Sequence, residues 1–570
     1  MISIEPWMPI AIGLGVLFFW FLREVKATLF WTYLWQLKNY HIGRFLAHFD
    51  TYKGRRLINN PGLLLKYVIF VLLLLAMGSG TYIYPEPFGS YLMKYGVYVI
   101  SVIPLLFLVY IAEGLAALLQ MFRKRIVVPQ ITSKISFLLP VIFIPLGIIT
   151  VVFARLFTSD YLNPTKWISF DLVPFAMTIL AFDILTPLIV SAIILLLQPL
   201  TVLMRNRIIR KAIKKRKSLE NLLVIGITGS YGKSSTKEFL KFILLNEFKV
   251  VSTEKNENSE MGISECILNE IKEEHEIFIC EMGAYNRGGI KLLCDIAKPK
   301  IGILTGINNQ HLATFGSQKN IVKGKFELID SLPLEGLAAL NWDSELIKDN
   351  FKSEIASIKY SVSEHQDAWV ENIKGGKEGI SFTAVFRTGE SLPLSINING
   401  VHNISNLLAA IVIAKKLGMD LENIAARLKE MTPAIGGMRL QKFNGSDVVD
   451  ATYSSNWNGI VSHLDYLKNW EGKKIMVMPC LIELGVEGKE THRKIGKKIG
   501  EVCDLAIITS KDYLSDIVKG AAESGMKKEN IIFMENGEKI FKKLESFAGE
   551  GDVVLLESRV PVKLINKLLK

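Results

Sequence analysis

Apolar residues are spread unevenly along this chain. They crowd the first two hundred positions, where five stretches, 10–21, 63–84, 95–119, 135–157 and 172–203, are long and apolar enough to cross a bilayer. The first is the shortest. It can extend through 27–37, an amphipathic segment with Trp31, Tyr33 and Trp35 that suits a membrane interface. From about residue 221 the pattern changes to short apolar runs alternating with helical segments. Runs at 222–228, 277–281, 300–305 and 337–341 predict the strands of a doubly wound parallel sheet. Runs at 448–453, 474–478, 505–509, 530–534 and 553–557 repeat the alternation after a linker marked by Pro433, Gly436 and Gly437. The expected organisation is an α-helical membrane domain over 1–206, then two α/β domains over 207–430 and 431–570. In such sheets ligands gather at the carboxyl ends of strands, so the cleft between the two α/β domains is the expected binding place.

Charge orients the helices. Basic residues follow the first stretch (Arg23, Lys26, Lys38, Arg44, Lys53, Arg55, Arg56), the third (Arg123, Lys124, Arg125) and the fifth (Arg205 to Lys217), whereas 85–94 and 158–169 carry one lysine each, balanced by Glu86 or Asp160. Basic loops stay cytoplasmic. Five helices with the N-terminus outside and the C-terminal domains in the cytoplasm satisfy every loop, which predicts a multi-pass plasma-membrane protein. No small-residue cleavage site follows the first stretch, so it reads as an anchor. The net charge of +12 sits largely at these membrane borders, which points to anionic lipids as the partner and away from nucleic acid. The five cysteines all lie beyond the last stretch without metal-ligand spacing and fit reduced thiols in a cytosolic compartment.

The segment IGITGSYGKSST, 225–236, joins an apolar run to a helical one. Gly229, Ser230 and Gly232 let the backbone turn tightly and expose its N–H groups, the following helix adds its positive end, and Lys233 supplies a mobile charge. Ser234 and Ser235 open the helix, and Ser234 is placed to reach Mg²⁺. The pattern predicts an ATP site. Its spacing, G-x-x-G-K-S-S, is narrower than the general phosphate-loop form because Ile227 stands where that form has its first glycine.

From about residue 221 to the C-terminus the chain resembles the Mur ligases, most nearly the branch that adds D-alanyl-D-alanine to the UDP-N-acetylmuramoyl-tripeptide. The motifs TGSYGKSSTKE, TEKNENSEMG, EMGAYNRGGI, HLATFGS, VKGKFELI, GVHNISNLLAA, GGMRL and IELG occur in the family's order. The resemblance implies ATP-driven amide formation through an acyl phosphate. It implies that Ser234 and Glu281 bind one Mg²⁺, that His311 binds a second, and that Lys325 is carbamylated so that its added carboxylate helps hold that metal. Lys323 competes with Lys325 for this role. Asn403 and Asn406 would reach the adenine, although Asn403 also suits a helix N-cap; Arg439 and Asp450 would contact the nucleotide; Thr253, Asn256, Asn258 and Glu483 would lie near the substrate.

The chain departs from the family in four places. DATYSSNW, from Asp450, has Ala451, Ser454 and Trp457 where the family has aspartate, asparagine and proline; PCLIELG, from Pro479, lacks the family's Gly-Asp pair; Leu556-Glu557-Ser558-Arg559 replaces Lys-Gly-Ser-Arg. Most notably, membrane-type helices stand where soluble members carry a UDP-sugar-binding domain. A cell-wall precursor held at the cytoplasmic leaflet on a lipid carrier is then the simplest acceptor, with an amino acid or dipeptide as amine donor. Two other functions fit the outline: a capsule ligase of the poly-γ-glutamate type, and an ATP-sensing regulator of a transporter. Against the last, the stretches hold few interior charges beyond Glu113, Asp171 and Asp183.

Overall fold

The computed structural model describes residues 7–80, 88–161, 172–254, 257–433, 435, 437–453 and 456–569. The chain divides into two compact units, Met1–Met204 and Arg205–Lys570.

The first unit is helical. Among the described residues four segments are long and apolar enough to span a membrane: Tyr52–Leu75, Val102–Phe122, Ser133–Leu156 and Phe175–Leu196. They fall on four of the five expected stretches. The first stretch lies within one 31-residue helix, Trp7–Leu37, whose middle carries Arg23, Glu24 and Lys26. The amphipathic segment 27–37 therefore continues that helix. Of the two loops expected outward, 85–87 and 162–169 lie outside the described residues, while 88–94 and 158–161 belong to the Phe88–Phe122 and Ser133–Tyr161 helices.

Packing gathers more charge than the sequence suggested. Lys66 Nζ lies 2.5 Å from Glu113 and 2.7 Å from Asp183, and Arg23 pairs with Glu24, Asp183 and Glu113. Tyr110 donates to Asp183 at 3.2 Å and Thr186 to Glu24 at 2.7 Å. Of the three interior acids expected, Glu113 and Asp183 belong to this network, and Asp171 lies outside the described residues. Charges inside an apolar bundle are costly unless paired, which is why these helices meet at their polar positions.

The second unit contains two sheets. Strands β1 (Leu223–Thr228), β2 (Val250–Ser252), β3 (Ile277–Glu281), β4 (Ile301–Leu304), β5 (Leu337–Asn341), β6 (Ala356–Ser361), β7 (Ala368–Gly376), β8 (Gly379–Phe386) and β9 (Ser391–Ile396) form a sheet ordered β2-β3-β1-β4-β5-β6-β7-β8-β9. It is parallel from β2 to β7 and antiparallel from β7 to β9. β10 (Arg439–Phe443), β11 (Ser446–Ala451), β12 (Lys474–Met478), β13 (Leu505–Ile508), β14 (Ile531–Phe533) and β15 (Val553–Glu557) form the second sheet, ordered β10-β11-β15-β12-β13-β14, parallel except for β10.

β1, β3 and β4 are buried on both faces, as all-apolar strands must be in a sheet covered by helices. The Asn403–Lys416 helix packs on one face, buried through most of its length, and Gln318–Asp330 covers the other through Ile321, Val322, Leu328 and Ile329. These helices and strand ends position the candidate site.

Candidate active site

β1 ends at Thr228 and the Lys233–Leu244 helix begins five residues later. Gly232 makes the turn with φ +79°, a region that costs an L side chain, and a Cβ there would meet Asn406 Oδ1 at 2.3 Å. A Cβ on Gly229 would meet Thr305 Oγ1 at 2.2 Å. Both glycines are therefore fixed by close approach of the β4 loop and the Asn403–Lys416 helix. Ser230 extends the stitching, its N–H donating to Gly306 O at 2.7 Å and its Oγ accepting from Asn308 N at 3.1 Å. Lys233 Nζ folds back onto Gly229 O at 2.8 Å. Its burial lowers the ammonium's pKa, with Glu281 pulling the other way.

In the first turn of the helix, Ser234 Oγ donates to Glu281 Oε2 at 2.8 Å. Glu281 closes β3 with 2% exposure; Asn258 Nδ2 donates to its Oε1 at 3.0 Å, and its own N–H donates to Thr253 Oγ1 at 3.0 Å. Thr253 and Asn258, expected near substrate, thus surround the carboxylate; Asn256 lies outside the described residues. Lys237 was not anticipated. Fully buried, it donates to Thr253 O at 2.5 Å and stands 3.9 Å from Glu281. The signal was available, because Lys237 repeats Lys233 at helical i+4 spacing.

Lys325 points inward from Gln318–Asp330 with 3% exposure. Burial and then the neighbouring Lys233 charge lower its pKa from 10.5 to about 7. A buried amine that is neutral near physiological pH is the form that takes up CO₂, so the local chemistry fits a carbamate. The competitor, Lys323, is exposed.

His311 follows β4 with φ +66°. Its Nδ1 lies 2.8 Å from Glu483 Oε2, and Tyr285 stands edge-on to the ring with centroids 4.9 Å apart. Burial lowers the imidazole's pKa, and the Lys325 and Lys233 charges add to that while Glu483 opposes it. Neighbouring residues tie the same loop to the second sheet's domain: Asn309 Nδ2 donates to both Glu487 oxygens at 2.8 and 2.9 Å, and Asn308 to Asn458 at 2.7 Å. Glu483 was expected beside the substrate; its described partner is His311. Glu487 and Asn458 had no sequence signal, since their roles exist only once the two domains meet.

Asn403 opens its helix without capping it, because Nδ2 donates to Asn399 O at 2.9 Å and the N-cap position is His402. Its Oδ1 is buried without a partner, an acceptor suited to an adenine amino group. Asn406 Oδ1 accepts from Thr236 at 3.4 Å. Arg439 and Asp450 face each other across β10 and β11, where Asp450 accepts from Thr452. Ser235 sits in the first helical turn beside Ser234.

Among the described residues no three His, Cys, Asp or Glu side chains converge on one point. The hydroxyl–carboxylate pair Ser234–Glu281 instead suits Mg²⁺, which commonly takes one or two protein oxygens and completes its shell with phosphate and water. All five cysteines are buried and unbridged.

Residues 227–414 match the family described as Mur ligase middle domain, and 438–559 match the Mur ligase glutamate ligase domain. UDP-N-acetylmuramoyl-tripeptide–D-alanyl-D-alanine ligase of Synechocystis sp. is 32% identical over 347 residues, covering 60% of this chain and 72% of that enzyme. The structure of MurF ligase from Thermotoga maritima in complex with ADP is similar at 26% identity and a TM-score of 0.55, covering 64% of this chain and 83% of that one. MurF from Acinetobacter baumannii, 23% identical with a TM-score of 0.57 over 64% of this chain and 79% of its own, shares the fold.

Proposed function

The chain belongs to the Mur ligase family, ATP-dependent enzymes that form amide bonds, and from that premise we propose that it adds D-alanyl-D-alanine, or a similar amine, to a peptidoglycan precursor at the membrane. The observation that carries the reading is the convergence of Lys233, Ser234, Glu281 and Lys325 around the carboxyl ends of β1 and β3, inside a chain whose relatives carry that activity.

In this reading the acceptor's carboxylate oxygen attacks the γ-phosphorus of ATP; the new O–P bond forms as the bond to the β-phosphate oxygen breaks and ADP leaves. The donor's ammonium gives one proton to water, and the freed amine nitrogen forms the C–N bond as the bond from the acyl carbon to the phosphate-bearing oxygen breaks; inorganic phosphate leaves with that oxygen and takes up the second proton that the nitrogen loses. Lys233 neutralises phosphate charge in the first step. Ser234 and Glu281 would hold one Mg²⁺, and His311 with a carbamylated Lys325 a second, which would supply positive charge where phosphate charge builds. Asn403 and Asn406 receive the adenine, while Arg439 and Asp450 approach the nucleotide from the C-terminal domain.

The helical unit supports membrane attachment and a lipid-linked acceptor, since apolar helices occupy the region that precedes the ligase domains. The basic borders at Arg55-Arg56 and Arg123–Arg125 suit its diphosphate and anionic lipid. The test is ADP formation by the full chain in membranes, with D-alanyl-D-alanine as donor. A lipid-linked muramoyl-peptide is expected to support turnover well above its UDP-linked counterpart, and deletion of residues 1–204 to abolish that preference. Equal rates on a UDP-linked acceptor for the full and shortened proteins would refute the lipid-acceptor reading, and no ADP with either acceptor would refute the substrate class.

A further inference from the structure

The loop carrying His311 and the loop carrying Glu483 hold each other in an unusual way. Both residues adopt the left-handed region, at φ +66° and +65°. They meet through Nδ1 and Oε2 at 2.8 Å, and the backbone joins as well, Ala313 N donating to Glu483 O at 3.2 Å. Two non-glycine residues persist in that region only where their surroundings over-determine them, and such positions cluster at functional sites. The partners are 172 residues apart and come from the two different α/β domains. Glu483 belongs to Leu481–Glu487, the segment that leads into the Gly488–Val502 helix, so the middle domain's histidine is oriented by the C-terminal domain.

We propose that Glu483 is a positioning residue for His311, fixing its tautomer and aim toward the second metal position from across the domain interface. The inference rests on the reading of His311 as a metal ligand. An ionised carboxylate can only accept, so its partner Nδ1 carries the proton and Nε2 keeps its lone pair. The same arrangement orients histidine ligands at metal sites generally, where loss of the carboxylate weakens metal binding by about 10–100-fold. Tyr285, edge-on to the ring, limits its rotation from another direction. The Asn309–Glu487 contact, from the same pair of loops, docks the domains without touching the imidazole. It therefore separates orientation from docking.

The experiment uses the full chain in detergent with a non-hydrolysable ATP analogue and Mn²⁺ as probe, read by the electron paramagnetic resonance of free Mn²⁺, alongside the Mg²⁺ dependence of ADP formation. Glu483→Ala is expected to weaken one Mn²⁺ site at least about 10-fold and to raise the Mg²⁺ concentration for half-activation, with the KM for ATP unchanged. Glu483→Gln, which keeps an acceptor but not the charge, should fall between. Glu487→Ala should leave Mn²⁺ affinity as it is. His311→Ala with a lost site and Glu483→Ala with two normal sites would overturn the positioning role. Equal losses in Glu483→Ala and Glu487→Ala would overturn it too, in favour of simple docking. Unchanged Mn²⁺ binding in His311→Ala would remove the metal reading of His311 itself, and the proposal with it.

Discussion

Lys325 gives the sharpest test of the site, because its chemistry and its stability should move in opposite directions. The folded protein holds this amine at a pKa of about 7, down from 10.5, through burial first and the Lys233 charge second. The unfolded chain keeps the proton up to about pH 10.5. Between the two values the unfolded state binds more protons, so stability climbs with pH across that window and the burial cost is fully present below about 7. A drop of that size corresponds to roughly 5 kcal/mol of preference for the neutral amine. Structural relaxation and water entry reduce what is measured, so about 1–3 kcal/mol is the expected gain when the charge is removed. Lys325→Met keeps the length and apolar stem of the side chain. Without bicarbonate at pH 7, the full-length variant in detergent should therefore melt about 2–4 °C or more above the parent by tryptophan fluorescence, and the gap should narrow towards pH 10. Ligase activity should be lost. Bicarbonate should raise the parent's melting temperature, by mass action on a carbamate, and leave the variant's unmoved. A variant that melts below the parent at pH 7 with an unchanged pH profile would refute the argument. So would one with full activity.

Lys233→Ala is expected to lower ATP-dependent phosphate release at least about 100-fold with the melting transition retained, and normal turnover would exclude the phosphate role. Gly232→Ala must push Asn406 Oδ1 from 2.3 Å and strain a φ of +79°, so KM for ATP should rise at least about 10-fold; an unchanged KM would show that the loop tolerates a Cβ. Glu281→Gln should raise the Mg²⁺ requirement while Asn258 still pairs with it, and an unaltered Mg²⁺ profile would place the cation elsewhere. Tags inserted after Thr165 should be reached by an impermeant reagent from outside and tags after Arg125 should not; the reverse would invert the topology.

Strands buried on both faces were legible in the sequence. β3, β5, β12 and β15 lie at the expected residues, since an uninterrupted apolar run of about five has few other uses. β6 to β9 were not. β8 alternates half-buried and buried positions and β9, at the sheet edge, alternates exposed and buried ones, so neither presents the uninterrupted apolar run that marked the others. β2 is three residues long, and β10 has no fully buried residue, which left neither with a signal. In the helical unit, long apolar runs revealed the helices. The pairing of Arg23 with Glu24, and of Arg23 and Lys66 with Glu113 and Asp183, was invisible, because charges near a helix end and charges inside a bundle read alike in one dimension.

The site divides along a similar line. Gly229 to Ser235 are contiguous and were read together; Glu281 was found because a carboxylate ending an apolar strand needs a reason. The choice between Lys323 and Lys325 rested on motif register, and helix periodicity also sets the two apart. Ile321 and Leu328 are buried on Gln318–Asp330, and Lys325 stands four residues after one and three before the other, which puts all three on one face. Lys323 stands two residues from Ile321 and two from Lys325, off that face, and is exposed. Hydrophobic spacing therefore aims a lysine at the core, a placement that burial alone would penalise. A buried lysine with its pKa so lowered is a candidate for chemistry that needs a neutral amine, and the same geometry sets it beside the Lys233 charge. What spacing could not supply was Glu483, whose meaning depends on a partner 172 residues away in another domain.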